Sequence, residues 1–331
     1  MRHRLILVAL IILLAFASLM IYMRSPILVD QDRVHLKVYA GDGVGTILHR
    51  ADSLGLSINS LVAKTYFRLT GSDKKLAPGR YTISFKDSRH DFLKRLKTGD
   101  IDHLWVTIPE GLTVNRTIEL LARQLEQPIL DFIKLENDEK FLQSLPFAPE
   151  SLEGYLFPET YRVPYTIKPD EMIRVMVASL RDFMGDSLLV RAEELGFDAH
   201  HLLTFASLIE AETADRKEMP VISSVFHNRI KRNMLLQCDP TVIYALGGLD
   251  RPLYRRDLKF DSPYNTYVYK GLPPGPINSP GKHAILASLY PDDTDYLFFV
   301  ADVTGEHIFS KTNAQHNKAR QEIKARRRAM K

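Results

Sequence analysis

Cysteine occurs once in the 331 residues, as Cys238. A single thiol excludes an intramolecular disulfide and a zinc site made of cysteines alone. Neither sign of charge is in excess: 44 basic against 40 acidic residues give a formal net charge of +4, which offers no electrostatic case for nucleic acid. Phosphate-loop chemistry is also missing. Gly41, Gly43 and Gly45 in GDGVGT lack the GxGxxG spacing and a P-loop lysine, so they read as a strand-to-helix turn. Long apolar runs are scarce, and the clearest is Leu5 to Met23, free of charged residues.

That run is long enough, at about 1.5 Å per residue, to cross a hydrocarbon core of about 30 Å. Arg2 and Arg4 precede it, and Arg24, Asp30 and Asp32 follow. The bias predicts a cytoplasmic N-terminus and an exported remainder. A cleaved signal peptide needs a shorter apolar region ending in small residues, whereas this one ends in the bulky IYMRSP, which predicts an uncleaved anchor.

A hydrophobic share of 45% and a charged share of 25% are ordinary for a globular chain, and the length predicts two or three folded units. Val34 to Asp100 reads as a small α/β unit. HLKVYA alternates as a strand, helices are expected near Ile47–Leu54 and Leu61–Leu69, and Pro78-Gly79 turns into a strand carrying Tyr81, Ile83 and Phe85. HDFLKRLKTGD closes it as a helix capped by Gly99.

The middle, Ile101 to about His200, opens with a strand in HLWVTIPEG and a helix after Thr113, a plausible N-cap. In EMIRVMVASLRDFM, Met172, Val175, Met176 and Leu180 form a core stripe. Between them Tyr155, Phe157 and Tyr161 alternate with Glu153 and Glu159, which suits either a carbohydrate cleft or plain packing.

The chain is organised around Ala199 to Gly281. Leu202, Leu203, Phe205, Ala206, Leu208 and Ile209 recur at helical spacing and predict an amphipathic helix ending in Glu210 and Glu212. At about 100° per residue these carboxylates sit about 200° apart, so they cannot both enter one cleft. Asp239-Pro240 reads as a helix start with Asp239 as N-cap. YNTYVYKGLPPGPINSPG sets Tyr264, Asn265, Thr266, Tyr267 and Asn278 between rigid turns, as a site reading sugar hydroxyls and N-acetyl groups requires. YLFFVAD and GEHIFS predict a strand pair, and KARQEIKARRRAMK a basic helix or tail.

ASLIEAET, FHNRI, LLQCDPTVIYAL, SPYNTYVYKGLPPGPINSPG and FVAD…GEHIFS…HN, with LAPGRYTI, FLKRLKTGD and LEGYLFPETYRV upstream, resemble the endolytic murein transglycosylase family, also called MltG or YceG-like. The resemblance covers nearly the whole chain in order. It implies an α+β fold with an N-terminal transmembrane helix (1–32), a small LysM-like α/β subdomain (33–100) and a mixed α+β catalytic domain (101–331), single-pass in the inner membrane with the bulk extracytoplasmic. It implies cleavage of nascent peptidoglycan strands between MurNAc and GlcNAc to give 1,6-anhydroMurNAc ends, beside peptidoglycan synthases (penicillin-binding proteins) as partners, without metal, cofactor or nucleic acid.

The family's catalytic glutamate falls on the first carboxylate of the I-E-x-E-T motif, Glu210 here. Gln237, Asp239, Thr241, Tyr264, Asn265, Tyr267 and Asn278 are then the candidates to hold the sugar. Cys238 stands where the family often has a small hydroxyl residue. Glu210 must start protonated, so burial against Leu203 and Ala206 is expected to raise its pKa. Two alternatives remain at this level: a muramidase-type hydrolase with Asp239 or Glu153 as second carboxylate, and a non-catalytic peptidoglycan-binding scaffold for wall synthases.

Overall fold

The computed structural model describes residues 2–27, 32–72 and 76–329; Asp30 of the expected charge bias and Lys331 at the end of the basic tail lie outside them. The fold is mixed α+β. It opens with helix α1 (Arg2–Arg24), of which His3–Arg24 is long and apolar enough to cross a membrane, with a mean hydropathy of 2.9 and its side chains exposed as far as Ile21.

The chain divides into two compact units, the first made of 1–105 with 161–167 and the second of 106–160 with 168–331. In the first unit, β1 (Arg33–Val38) and β2 (Gly79–Ser84) pair antiparallel, with Leu36 opposite Tyr81 and Val34 opposite Ile83. Their alternation turns Leu36, Val38, Tyr81 and Ile83 inward against α2 (Val44–Ser53), α3 (Ser60–Leu69) and α4 (Arg89–Thr98), where Ile47, Phe67, Phe92 and Leu96 close the core. Each such side chain, fully buried, contributes about 1.5–3 kcal/mol. Helix starts are held by local chemistry. Asn59 accepts from the Leu61 and Val62 N–H groups, and Ser88 and Asp91 form a capping box. Gly99, at φ 69°, ends α4 as predicted. Two expectations shift: α2 begins at Val44, and Phe85 lies past the end of β2 and is exposed.

β3 (His103–Thr107) pairs with β4 (Thr160–Pro164), a strand that the aromatic loop reading did not anticipate. In the second unit, α5 (Val114–Gln124) starts after Thr113 as expected, but the Thr113 side chain makes no cap bond. The Val114 N–H instead donates to Glu153 Oε1 at 3.0 Å. The short α6 (Ile129–Glu136) and α7 (Glu139–Gln143) follow. α8 (Pro169–Glu194) is two helices joined at Gly185, whose φ of 50° and ψ of −176° break the ladder. Met172, Met176 and Leu180 are buried as read, while Val175 turns outward.

The organising helix, α9 (Ala199–Glu212), lies deeper than an amphipathic pattern requires. Every residue from Leu202 to Ile209 is buried, including Thr204 and Ser207. Those hydroxyls donate to the His200 and Thr204 carbonyls, which removes the cost of their burial. α10 (Met219–Lys231), α11 (Asp239–Ala245) and α12 (Lys282–Leu289) pack around α9. β5 (Phe298–Ala301) and β6 (His307–Ser310) form the predicted antiparallel pair, and α13 (Asn313–Ala329) closes the described chain.

Candidate active site

Glu210 and Glu212 leave the C-terminal end of α9 in different directions, as their spacing requires. Glu210 Oε2 accepts from the Gly281 N–H at 3.0 Å, at the start of α12. The Cγ of Glu210 lies 3.6 Å from where a side chain on Gly111 would begin. Gly111, with φ at +75°, is held there by its N–H to the Ser279 carbonyl at 2.9 Å. Burial raises the Glu210 pKa against the lowering effect of the Gly281 N–H, and the nearby Glu110 carboxylate pushes it further up.

Glu212 faces a cavity of about 790 Å³. Gln237, Asp239 and Tyr267, three of the residues expected to hold sugar, line it with Glu212. Glu210 does not. The carboxylate expected to carry the chemistry thus does not line the cavity of those expected partners; of α9 only Glu212, its last residue, does. Burial pushes the Glu212 carboxyl up to about 7, the Cys238 thiol that hydrogen-bonds to it works the other way, and the Asp239 carboxylate adds to the rise.

Asp239 begins α11, but it is not the N-cap; Cys238 occupies that position. Its carboxylate instead accepts from the Tyr267 hydroxyl at 2.6 Å. Burial, followed by that bond, raises the Tyr267 pKa, so the phenol stays a donor. Gln237 holds a left-handed backbone at φ 53°, costly for a residue with a side chain. Its N–H donates to the Thr266 carbonyl and its Oε1 accepts from Arg229, which fixes that conformation.

The other expected sugar contacts lie elsewhere. Thr241 is buried, donates to the Cys238 carbonyl at 2.7 Å and shares a hydrogen bond with Thr266. Asn265 is buried too; its amide donates to the Leu258 and Phe260 carbonyls and its oxygen accepts from the Tyr267 N–H. These two brace the loop that aims Tyr267. Asn278 donates to the Ser207 carbonyl at 2.8 Å, tying the 277–281 segment to α9. Tyr264 lines a second cavity, of about 430 Å³, with Glu153, Tyr155, His200 and Tyr244. Phe157 and Tyr161 are buried packing, and Tyr155 is buried with its hydroxyl against His200 Nδ1 at 3.0 Å. Glu153 is pushed up to about 7 by burial and does not line the Glu212 cavity.

Several residues with a part in this arrangement carried no clear signal in sequence. Arg229, in FHNRI, is buried and donates to the Leu297, Leu236 and Leu235 carbonyls, pinning β5 and the 235–237 turn to α10. Glu218 accepts from both the N–H and Nδ1 of His307, at 2.7 and 2.6 Å, which fastens β6 beside the cavity. Glu110, inside a stretch read as strand, reaches Gly281 and pairs with Arg216 at 3.6 Å. All three act across more than 60 residues of chain or through a loop, where periodicity is silent.

Comparison with known proteins shows what the chain is similar to. The model of the YceG-like family matches residues 36–322. An endolytic murein transglycosylase of Bacillus subtilis (strain 168) is 37% identical over 249 residues, 69% of this chain and 68% of that protein. An endolytic murein transglycosylase of Streptococcus pneumoniae is 32% identical over 305 residues; the match takes in 82% of this chain but spans only 54% of that relative's length. A crystal structure of a yceG-like protein from Listeria monocytogenes aligns with a TM-score of 0.61 at 31% identity, covering 88% of this chain and all of that one.

Proposed function

This chain belongs to the YceG-like family, and on that premise we propose that it is an endolytic murein transglycosylase. The resemblance puts the family's catalytic glutamate on Glu210, whereas the cavity lining favours Glu212 as the general acid. The observation that carries the assignment of the acid is that Glu212 shares one cavity with Gln237, Asp239 and Tyr267 while Glu210 does not. A carboxyl held near 7 is protonated in a useful fraction at neutral pH, which a general acid needs. Glu210 is then a positioning residue that locks the end of α9 to the start of α12.

The reaction balances without water. The Glu212 proton passes to the glycosidic oxygen between MurNAc and GlcNAc, and the bond from C1 to that oxygen breaks. The Asp239 carboxylate, oriented by the Tyr267 hydroxyl, faces the positive charge developing at C1. The C6 hydroxyl oxygen of the same sugar attacks C1, and its proton returns to Glu212. The nucleophile is tethered to the ring it attacks, so its effective molarity is high. The product is a 1,6-anhydroMurNAc end.

The substrate is the glycan strand of peptidoglycan, and endolytic cutting limits strand elongation next to the membrane-bound synthases. α1 is the single-pass anchor in the cytoplasmic (inner) membrane, with its N-terminus cytoplasmic and both folded units outside. The strand–helix–helix–strand arrangement of β1, α2, α3 and β2 supports a LysM-like, glycan-holding role for the first unit. Mass spectrometry of digested murein tests the reading. Anhydro ends, one water lighter than reducing ends, are expected; reducing ends would make the chain a hydrolase, with Asp239 as its second carboxylate.

A further inference from the structure

The last turn of α1 is built into the first unit. The Tyr22 hydroxyl accepts from the Asn59 N–H at 2.7 Å, and Met23 packs against the unit's core. The buried Arg89 guanidinium lies over the Tyr22 ring, 4.5 Å from its centroid. It also donates to the Ser25 hydroxyl and to the Pro26 and Ser57 carbonyls. The Ile27 N–H donates to the Asp87 carbonyl at 2.9 Å. Two turns are thereby pinned to the end of α1: 54–60, between α2 and α3, and 85–88, between β2 and α4. Both turns, or the residues beside them, carry apolar side chains that the unit leaves uncovered. Leu61 is 75% exposed and Phe85 47%, and Leu54 is exposed as well. Single exposed apolar residues are ordinary. These three stand on the two turns fastened to an apolar helix of membrane length, which is not ordinary.

We propose that the edge of the first unit carrying Leu54, Leu61 and Phe85 is a membrane-docking surface, seated in the phospholipid layer where α1 emerges. This rests on the reading of α1 as a membrane anchor and is independent of which glutamate is the acid. The 22 residues of His3–Arg24 span about 33 Å, just more than a hydrocarbon core of about 30 Å. Tyr22 then stands at the membrane–water boundary, a depth at which tyrosine is enriched. Asn59, bonded to its hydroxyl, stands there too, and Leu61 follows two residues later. The charges exposed along this edge, Arg24, Arg33 and Lys86 against Asp32 and Asp52, come close to cancelling. Docking is thus apolar rather than electrostatic. The opposite end of the β1–β2 pair, where Val38 meets Gly79 and Tyr39 follows, lies about 20 Å along the strands and away from the bilayer. A unit seated in this way does not swing on a tether, so whatever it holds stays in the layer next to the membrane.

The test uses tryptophan as a depth probe in the full-length protein, reconstituted in phosphatidylcholine vesicles with and without lipid brominated on its acyl chains. Trp105 is the sole tryptophan, so Trp105→Phe gives a dark background. In that background Leu61→Trp and Phe85→Trp should emit at shorter wavelength than a tryptophan in water. Both should lose most of their emission to brominated lipid, as side chains about 5–10 Å into the headgroup and acyl boundary do. Tyr39→Trp, at the far end and 59% exposed, should be untouched. Added phosphatidylglycerol or salt should change none of these results. All of the replaced side chains are exposed, so folding is not at stake. Phe16→Trp, inside α1, reports on the anchor itself. Quenching at Phe16→Trp without quenching at Leu61→Trp would overturn the docking and leave the anchor standing. No quenching at Phe16→Trp would overturn both. Equal quenching at Tyr39→Trp and Leu61→Trp would also overturn the proposal, since no one edge would then face the lipid.

Discussion

The Gly281 N–H donates to Glu210 Oε2 at 3.0 Å, so this carboxylate sits at the N-terminal end of α12 and is not among the residues that line the cavity with Glu212. Two residues that a short motif presents as near-equivalents therefore have different surroundings. One meets the start of α12 and the other lines the cavity with Gln237, Asp239 and Tyr267. Helix geometry made the separation inevitable; it did not say which shoulder would be which.

Glu212→Gln should lower murein cleavage by about 10²–10⁴-fold while leaving the fold intact, since the amide keeps the shape and loses the transferable proton. Glu210→Gln should keep most activity, because an amide oxygen still accepts from Gly281. Turnover of the two variants on the same murein decides between them. Near-native activity in Glu212→Gln with loss in Glu210→Gln would return the acid to Glu210.

The pH profile follows from the Glu212 carboxyl, pushed up to about 7 by burial. A general acid works in its protonated form, so kcat/KM should fall as pH rises through about 7. Stability moves the same way. The folded pKa lies above the unfolded value of about 4.3, so the folded state binds more protons between the two, and the stabilising contribution is lost as pH rises from there to about 7. Glu153, also pushed up to about 7 by burial, adds to this trend. Glu153→Gln should flatten the decline in Tm between pH 5 and pH 8; an unchanged slope would refute its share.

Tyr267→Phe removes the hydroxyl that donates to Asp239 at 2.6 Å. Asp239 then loses its orientation, and kcat should fall about tenfold, the cost of one charge-assisted hydrogen bond of about 1.4 kcal/mol. Thermal stability should barely change, because Asp239 remains accessible to water. A large drop in Tm with unaltered kcat would make the pair structural.

Gly281→Ala tests the junction itself. A Cβ there would overlap the Glu110 carboxylate, while the backbone, at φ −81°, tolerates any residue. The substitution should cost about 1–3 kcal/mol in urea unfolding as Glu110 is displaced. Glu110→Ala in the same chain should restore most of that loss. Failure of the second change to rescue the first would show that the strain lies elsewhere.

Local patterns determined much of this protein. The run from Leu5 to Met23 specified a membrane-length helix, the alternation around Tyr81 specified a strand, Gly99 specified a helix end, and the 3.6-residue repeat specified α9 with its two terminal carboxylates facing apart. Such features depend on neighbours within a few residues, which a sequence states directly. Tertiary structure alone decided that α9 is buried all round from Leu202 to Ile209, that Glu153 rather than Thr113 meets the first N–H of α5, that Asn265 and Thr241 brace a loop, and that Gln237, Asp239 and Tyr267 gather at Glu212. Each of these depends on contacts between segments tens of residues apart, and side-chain type does not reveal which distant group will come to face it.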